Sequence, residues 1–217
     1  MTERFNRIPE EKRNRILDAA MTAFAANGYV NANTNIIAKE AGISVGSLFQ
    51  YFENKEDLFR TTVTYGASVL KSTLENIMLG EEDILNKVEK VIRTIQKHSR
   101  ENGKMIRLYN EMSTQSNSRM MSEVIKELEG MTAGLYSSLI EKAQKELEAR
   151  TDCDPRMFAF LLDNLFMMLQ FSYACDYYRE RFKLYVREDI FEQDEFVVEQ
   201  TLRFIKGAFT NRSDKPS

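Results

Sequence analysis

At 217 residues, 43% hydrophobic and 29% charged, the chain can bury a real core and remain soluble. Its net charge of −3 excludes a protein that coats nucleic acid by bulk charge, so any contact with DNA has to come from a local arrangement. Residues 1–15 are charged throughout and carry no secretory leader, the uncharged part of the apolar stretch 157–178 runs only from Asn164 to Cys175, and two cysteines, Cys153 and Cys175, make no disulfide framework; a cytoplasmic protein with no membrane association is expected.

Few segments alternate apolar and polar residues, so the chain is read as all-α, with about nine helices. Pro9 suits a first helical position, Glu10 and Glu11 favour the positive end of the helix dipole, and Ile16, Leu17, Ala20 and Phe24 form one apolar stripe that ends at Gly28. Asn33 or Thr34 caps a short second helix carrying Ile37, Ala38 and Ala41, Gly42 makes a tight turn, and Ser44 caps a third short helix with Leu48 and Phe52 on its buried side. Asn54 caps a fourth, with Asp57 placed as in a capping box, running to about Leu79. Longer helices are predicted over 82–101, 106–114, 120–150, 155–181 and 194–209, the fourth of these started by Asp154 and Pro155. The division drawn from this pattern is a helix-turn-helix domain over 1–63, a larger helical bundle over 64–210 and a disordered tail over 211–217.

Two short helices joined by a tight glycine turn have the form of a helix-turn-helix, whose second helix enters the major groove. That helix needs a small face, and Gly46 and Ser47 supply one. A glycine inside a helix costs about 1 kcal/mol relative to alanine, which makes sense either where DNA must approach closely or where another helix packs on it. Lys55, at the first position of the fourth helix, opposes the dipole there; it is read as a phosphate ligand beside free backbone N–H groups, or as an ordinary solvated lysine. Residues 1–60 carry eight basic and eight acidic side chains, so this domain is neutral and needs a second copy to double its contacts. Arg4 and Arg7 read as a basic arm or as a solvated end.

Arg15-Ile16-Leu17-Asp18-Ala19-Ala20, Phe24, Gly28-Tyr29, Ile37-Ala38, Ala41-Gly42-Ile43-Ser44, Gly46, Leu48, Tyr51-Phe52, Lys55-Glu56 and Leu58 together resemble the DNA-binding domain of the tetracycline-repressor (TetR) family. The resemblance covers about fifty residues, and the rest of the chain matches only in length and helical character. It implies a homodimeric transcriptional regulator that binds double-stranded operator DNA, with Asn33, Asn35, Ser44, Val45, Gly46, Ser47, Gln50, Tyr51 and Lys55 at the DNA. Asn33, Tyr51 and Lys55 would hold phosphates. Gln50 would pair with adenine and Val45 would meet a thymine methyl. It further implies that the last two long helices form the dimer interface, through Phe160, Met167, Phe171, Phe196, Leu202, Phe204 and Ile205.

The helix from Pro155 is apolar all round, which fits burial on more than one side. Methionines and aromatics are dense in the C-terminal part, and methionine suits adaptable apolar sites as well as ordinary cores. Tyr65, Val69, Met105, Tyr109, Met112, Met131, Phe166 and Gln170 are the candidate contacts of a small apolar ligand whose binding would release the operator. Asp163 and Gln170 share a face and orient a ligand or bond across the dimer. His98, the single histidine, sits among charges and is expected at the surface. With no metal cluster, phosphate loop or nucleophile elbow, neither enzymatic activity nor a cofactor is expected. The alternative is a DNA-binding protein of the same fold without a small ligand, controlled by a protein partner or organising the chromosome.

Overall fold

The computed structural model describes residues 2–114 and 119–209, the side chains of residues 69, 113, 114, 119–121 and 131 apart. The expected tail 211–217 and the side chains of Val69 and Met131 lie outside the described residues. The chain is all-helical, with no strand among the described residues. Its helices are α1 (Glu3–Asn6), α2 (Glu10–Asn31), α3 (Thr34–Glu40), α4 (Val45–Tyr51), α5 (Lys55–Leu79), α6 (Ile84–Glu101), α7 (Gly103–Thr114), α8 (Arg119–Lys145), α9 (Pro155–Ala174), α10 (Asp176–Tyr185) and α11 (Asp194–Phe209). The two beyond the sequence expectation are α1, where a solvated end or arm was expected, and α10, which the helix predicted over 155–181 absorbed.

The chain folds as two compact units. The first holds residues up to Val69 together with Lys104–Leu128. Its core is the predicted stripe of α2, with Ile16, Ala20 and Phe24 fully buried against Ile37, Leu48, Phe52 and Phe59. Phe24 meets Phe59 edge-on at 4.9 Å between centroids. Gly28 and Gly42 both have φ of 67°, a left-handed value that costs glycine nothing; the first breaks α2 near its end and the second makes the turn between α3 and α4. Segment 104–128 is fastened to α2 and α5. Lys104 Nζ donates to Asp18 Oδ1 at 3.3 Å and to Thr22 Oγ1 at 2.9 Å. Arg60 of α5 pairs with Glu123 at 2.7 Å; α5 itself is tied to α2 by Tyr65, which donates to Asn14 Oδ1 at 3.0 Å.

The second unit holds Leu70–Gly103 and the chain from Glu129 onward. Val91, Ile92 and Ile95 of α6, Ile140 of α8, Leu162 and Phe166 of α9, and Val198 and Ile205 of α11 form its core. A polar clasp joins α6, α9 and α11. Arg100 grips the Asp194 carboxylate through two bonds of 2.6 and 2.7 Å and lies 4.7 Å over the Tyr173 ring, and Gln96 donates to the Tyr173 hydroxyl at 2.9 Å. These bonds hold the Asp194 carboxyl below its usual range.

Three sequence expectations change. The helix predicted over 155–181 stops at Cys175, which is extended with φ −114° and ψ 128°. No proline or glycine marks that break; Arg179 from α10 donates to the Tyr173 carbonyl at 2.9 Å, satisfying a helix-end acceptor. The helix predicted to reach residue 150 ends at Lys145, after which Leu147 takes φ of 61°. His98 is buried rather than at the surface, 8% exposed at the end of α6, with Nδ1 3.2 Å from Asn102 Nδ2, and burial lowers its pKa. At 20 residues, α9 is also long and apolar enough to cross a membrane by length and composition. Its face carrying Ala159, Leu162, Phe166, Leu169 and Tyr173 lies in the core of the second unit.

Candidate nucleic-acid interface

The helix-turn-helix is built by caps. Asn33 Oδ1 accepts the Asn35 N–H at 2.8 Å to start α3, and Ser44 Oγ accepts the Ser47 N–H at 3.0 Å to start α4. Ser44 and Ser47 hydroxyls also lie 2.9 Å apart. Asn54 Oδ1 accepts from the Asp57 N–H at 2.9 Å, and Asp57 Oδ2 accepts from the Glu53 N–H at 3.1 Å, a close variant of a capping box at the start of α5. Each cap was legible in the sequence because each spans four positions or fewer.

Asn33, Asn35, Ser44, Gly46 and Gln50 are exposed, and Val45, Ser47 and Lys55 half-buried. A Cβ built on Gly46 would meet nothing closer than Ser44 Oγ at 3.9 Å. The glycine therefore makes no room for a neighbouring helix; the space beside it is open. Lys55 is less simple than a waiting phosphate ligand. Its Nζ donates to the Val30 carbonyl at 2.9 Å and sits 5.2 Å from the Tyr29 ring centroid, tying the start of α5 to the end of α2. Burial lowers its pKa. An ammonium has three donors, and this bond uses one.

Tyr51 is placed differently from the rest of the set. It is 7% exposed, its ring lies 6.0 Å from that of Phe5, and its hydroxyl accepts from Lys12 Nζ at 3.2 Å. Phe49, which sequence reasoning passed over, projects from α4 with 44% exposure beside Gln50. The available signal was helical spacing: Leu48 and Phe52 face inward, so Phe49 falls on the outer side with Gly46 and Gln50. A short, capped helix with a bare glycine, hydroxyls, an amide and an exposed ring on its outer side can enter a major groove.

The profile of the bacterial regulatory proteins, tetR family, matches residues 16–62, the segment containing these helices. The chain belongs to the tetR family. This tetR-family protein is 25% identical over 163 residues to YhgD of Bacillus subtilis, a transcriptional regulator of the helix-turn-helix type, a match covering 75% of this chain and 84% of YhgD. It is 24% identical over 204 residues to the nucleoid occlusion factor SlmA of Haemophilus influenzae, covering 94% of this chain and 88% of SlmA. Several other relatives match over less than half of their own length. Among solved structures, that of the regulator FadR from Bacillus subtilis in complex with stearoyl-CoA superposes with a TM-score of 0.70 at 18% identity, covering 86% of this chain and 95% of that one. The tetR-family protein is thus a DNA-binding transcriptional regulator of helix-turn-helix type.

The remaining candidates fall in two places. Tyr65, Met105, Tyr109 and Met112 are in the first unit, where Tyr65 is partly exposed and bonded to α2, Met105 and Met112 are buried, and Tyr109 is half-buried. Phe166 and Gln170 are in the second, Phe166 in the core with its ring 5.6 Å from that of Tyr136 and Gln170 half-buried. Of the interface candidates, Phe160, Phe196 and Phe204 are exposed, Met167 and Leu202 half-buried, and Phe171 and Ile205 buried within the unit itself. Phe171 is covered by Tyr178 of α10 at 5.2 Å.

Proposed function

We propose that the protein is a two-fold symmetric transcriptional repressor that holds operator DNA through two copies of α4 and releases it when a small apolar ligand binds. The observation that carries the DNA-binding part is Gly46. A mid-helix glycine costs about 1 kcal/mol, and no close packing within the chain offsets it. Close approach of DNA does. Gly46→Ala therefore makes the test: the isolated protein should gain up to about 1 kcal/mol of stability while operator affinity falls. Unchanged affinity for DNA would remove the groove-facing role.

Dimerisation is supported by the outer surfaces of α9 and α11, where Met157, Phe160, Leu161 and Met168 on one helix and Phe196 and Phe204 on the other are exposed. Two recognition helices held about 34–36 Å apart would meet successive major grooves. Control is supported by the way α7 is bound into the DNA-binding unit through Lys104 and Met105. A ligand received against α5 and α7 near Tyr109 and Met112 would displace α7, and α2 with it. The FadR structure contains stearoyl-CoA, so a long acyl chain is the first ligand class to test. Coupling of about 1–3 kcal/mol would weaken operator binding some 5–150-fold, and operator DNA should weaken ligand binding by the same factor.

The match to a nucleoid occlusion factor over 94% of this chain favours a second reading, in which no small ligand acts. Selecting the chromosomal fragments that the protein binds separates the two. Sites beside a few promoters, lost on adding the ligand, support the repressor. Sites scattered along the chromosome and insensitive to acyl thioesters support the second reading.

A further inference from the structure

The four residues of α1 are too few to form a stable helix alone, and they are held by the end of the recognition helix α4. Phe5 is buried with its ring 4.7 Å from that of Phe52. Thr2 supplies the donors that the last turn of α4 lacks: its N–H reaches the Tyr51 carbonyl at 3.1 Å, and its hydroxyl lies 3.2 Å from the Gln50 carbonyl and 3.0 Å from that of Tyr51. This docking carries Arg4 to the side chain of Gln50, where NH1 donates to Oε1 at 3.1 Å. Arg7 is turned the other way, into an ion pair with Glu3 at 2.9 Å.

A guanidinium has only donors, so the Gln50 atom it meets is the amide oxygen, and the orientation of the amide follows. With its acceptor engaged, Gln50 leads with its NH2 group. The exposed pair then leads with N–H donors from both residues and keeps as acceptor only the remaining lone pair of Oε1, beside the guanidinium. Adenine presents an acceptor and a donor in the major groove and needs both halves of a glutamine amide; guanine presents two acceptors, N7 and O6. We propose that Arg4 is a positioning residue that turns the Gln50 amide, and that the pair reads guanine at the base step where a free glutamine would read adenine. This rests on the DNA-binding reading of α4 and replaces the adenine contact expected from the sequence.

The test is selection of bound duplexes from a random library by the full-length protein and by its Gln50→Ala, Arg4→Ala and Arg4→Lys variants, with thermal melts of each. Gln50→Ala should flatten the preference at one position, which marks the base that Gln50 reads. The parent should prefer guanine there. Arg4→Ala should move the adenine-to-guanine ratio at that position toward adenine by about tenfold or more, with other positions and the melting temperature unchanged. Arg4→Lys, which keeps a donor for Oε1, should restore part of the guanine preference. An Arg4→Ala motif identical to the parent's overturns the proposal, as does a uniform loss at every position, which would mark a purely structural or phosphate role. A parent that enriches no sequence overturns the DNA-binding reading itself, and the pair with it.

Discussion

Asp163 lies on α9, three residues before the core residue Phe166 and so on the same side of the helix. Burial pushes its carboxyl up from 3.8 to about 6. Its charge in turn adds to the upward shifts of Glu129 and of the buried Tyr136 phenol, both of which stem first from burial. A carboxyl whose folded pKa exceeds its unfolded value binds more protons in the native state between the two. Stability therefore falls as pH rises from about 4 to about 6 and stays lower above that window. Two pKa units at 1.36 kcal/mol each set the size of the effect at about 2–3 kcal/mol. Replacing Asp163 by Asn removes the ionisation. The stability difference between variant and parent should therefore grow by about that amount between pH 4 and pH 7. Relief of Glu129 acts in the same direction. His98 acts in the opposite one, since its lowered pKa loses stability as pH falls through its unfolded value of 6.5, but it is common to both proteins and cancels in the difference. Urea unfolding followed by circular dichroism, at fixed protomer concentration and at pH 4, 5, 6 and 7, measures this. A variant–parent difference that stays flat across the range would refute the desolvated carboxylate.

Lys55→Ala should weaken DNA binding for all sequences and lower the salt slope by about one unit in salt titrations of affinity; because the Val30 bond is also lost, about 1 kcal/mol of stability should go with it in urea unfolding. Phe204 is 70% exposed, so Phe204→Glu should leave the protomer folded while converting the dimer to monomer in sedimentation; a variant that stays dimeric at micromolar concentration would move the interface off α11. Gly66→Ala places a Cβ 2.5 Å from Met105 Sδ and 2.9 Å from Met21 Cε, so these two buried side chains, one of them on α7, have to move. Overpacking of about 1–3 kcal/mol should outweigh the gain in helix propensity, and operator affinity should drop with the melting temperature; a more stable variant with unaltered binding would show that the methionines simply yield.

The helix-turn-helix could be read in advance because its devices are local. Asn33, Ser44 and Asn54 cap helices through bonds to residues two or three positions away, and Gly42 turns the chain between two of them. The apolar stripe of α2 likewise depends only on helical spacing. What needed the tertiary structure has a distant partner in every case. A four-residue α1 exists because Phe52 and the carbonyls ending α4 receive Phe5 and Thr2 across nearly fifty residues. The break at Cys175 carries no breaker residue and is held by Arg179. His98 reads as a surface residue among its charged neighbours and is buried all the same. Lys55 is bound to Val30 and Gln50 to Arg4, so the two side chains most open to interpretation in the helix-turn-helix are already engaged within the chain. Segment 104–128 returns to the first unit through Lys104 and Glu123, whose partners Asp18 and Arg60 lie more than sixty positions earlier. Sequence spacing specifies a helix, its caps and its apolar face; which buried or exposed group a side chain finally meets depends on chain closure over tens of residues, and no local pattern records that.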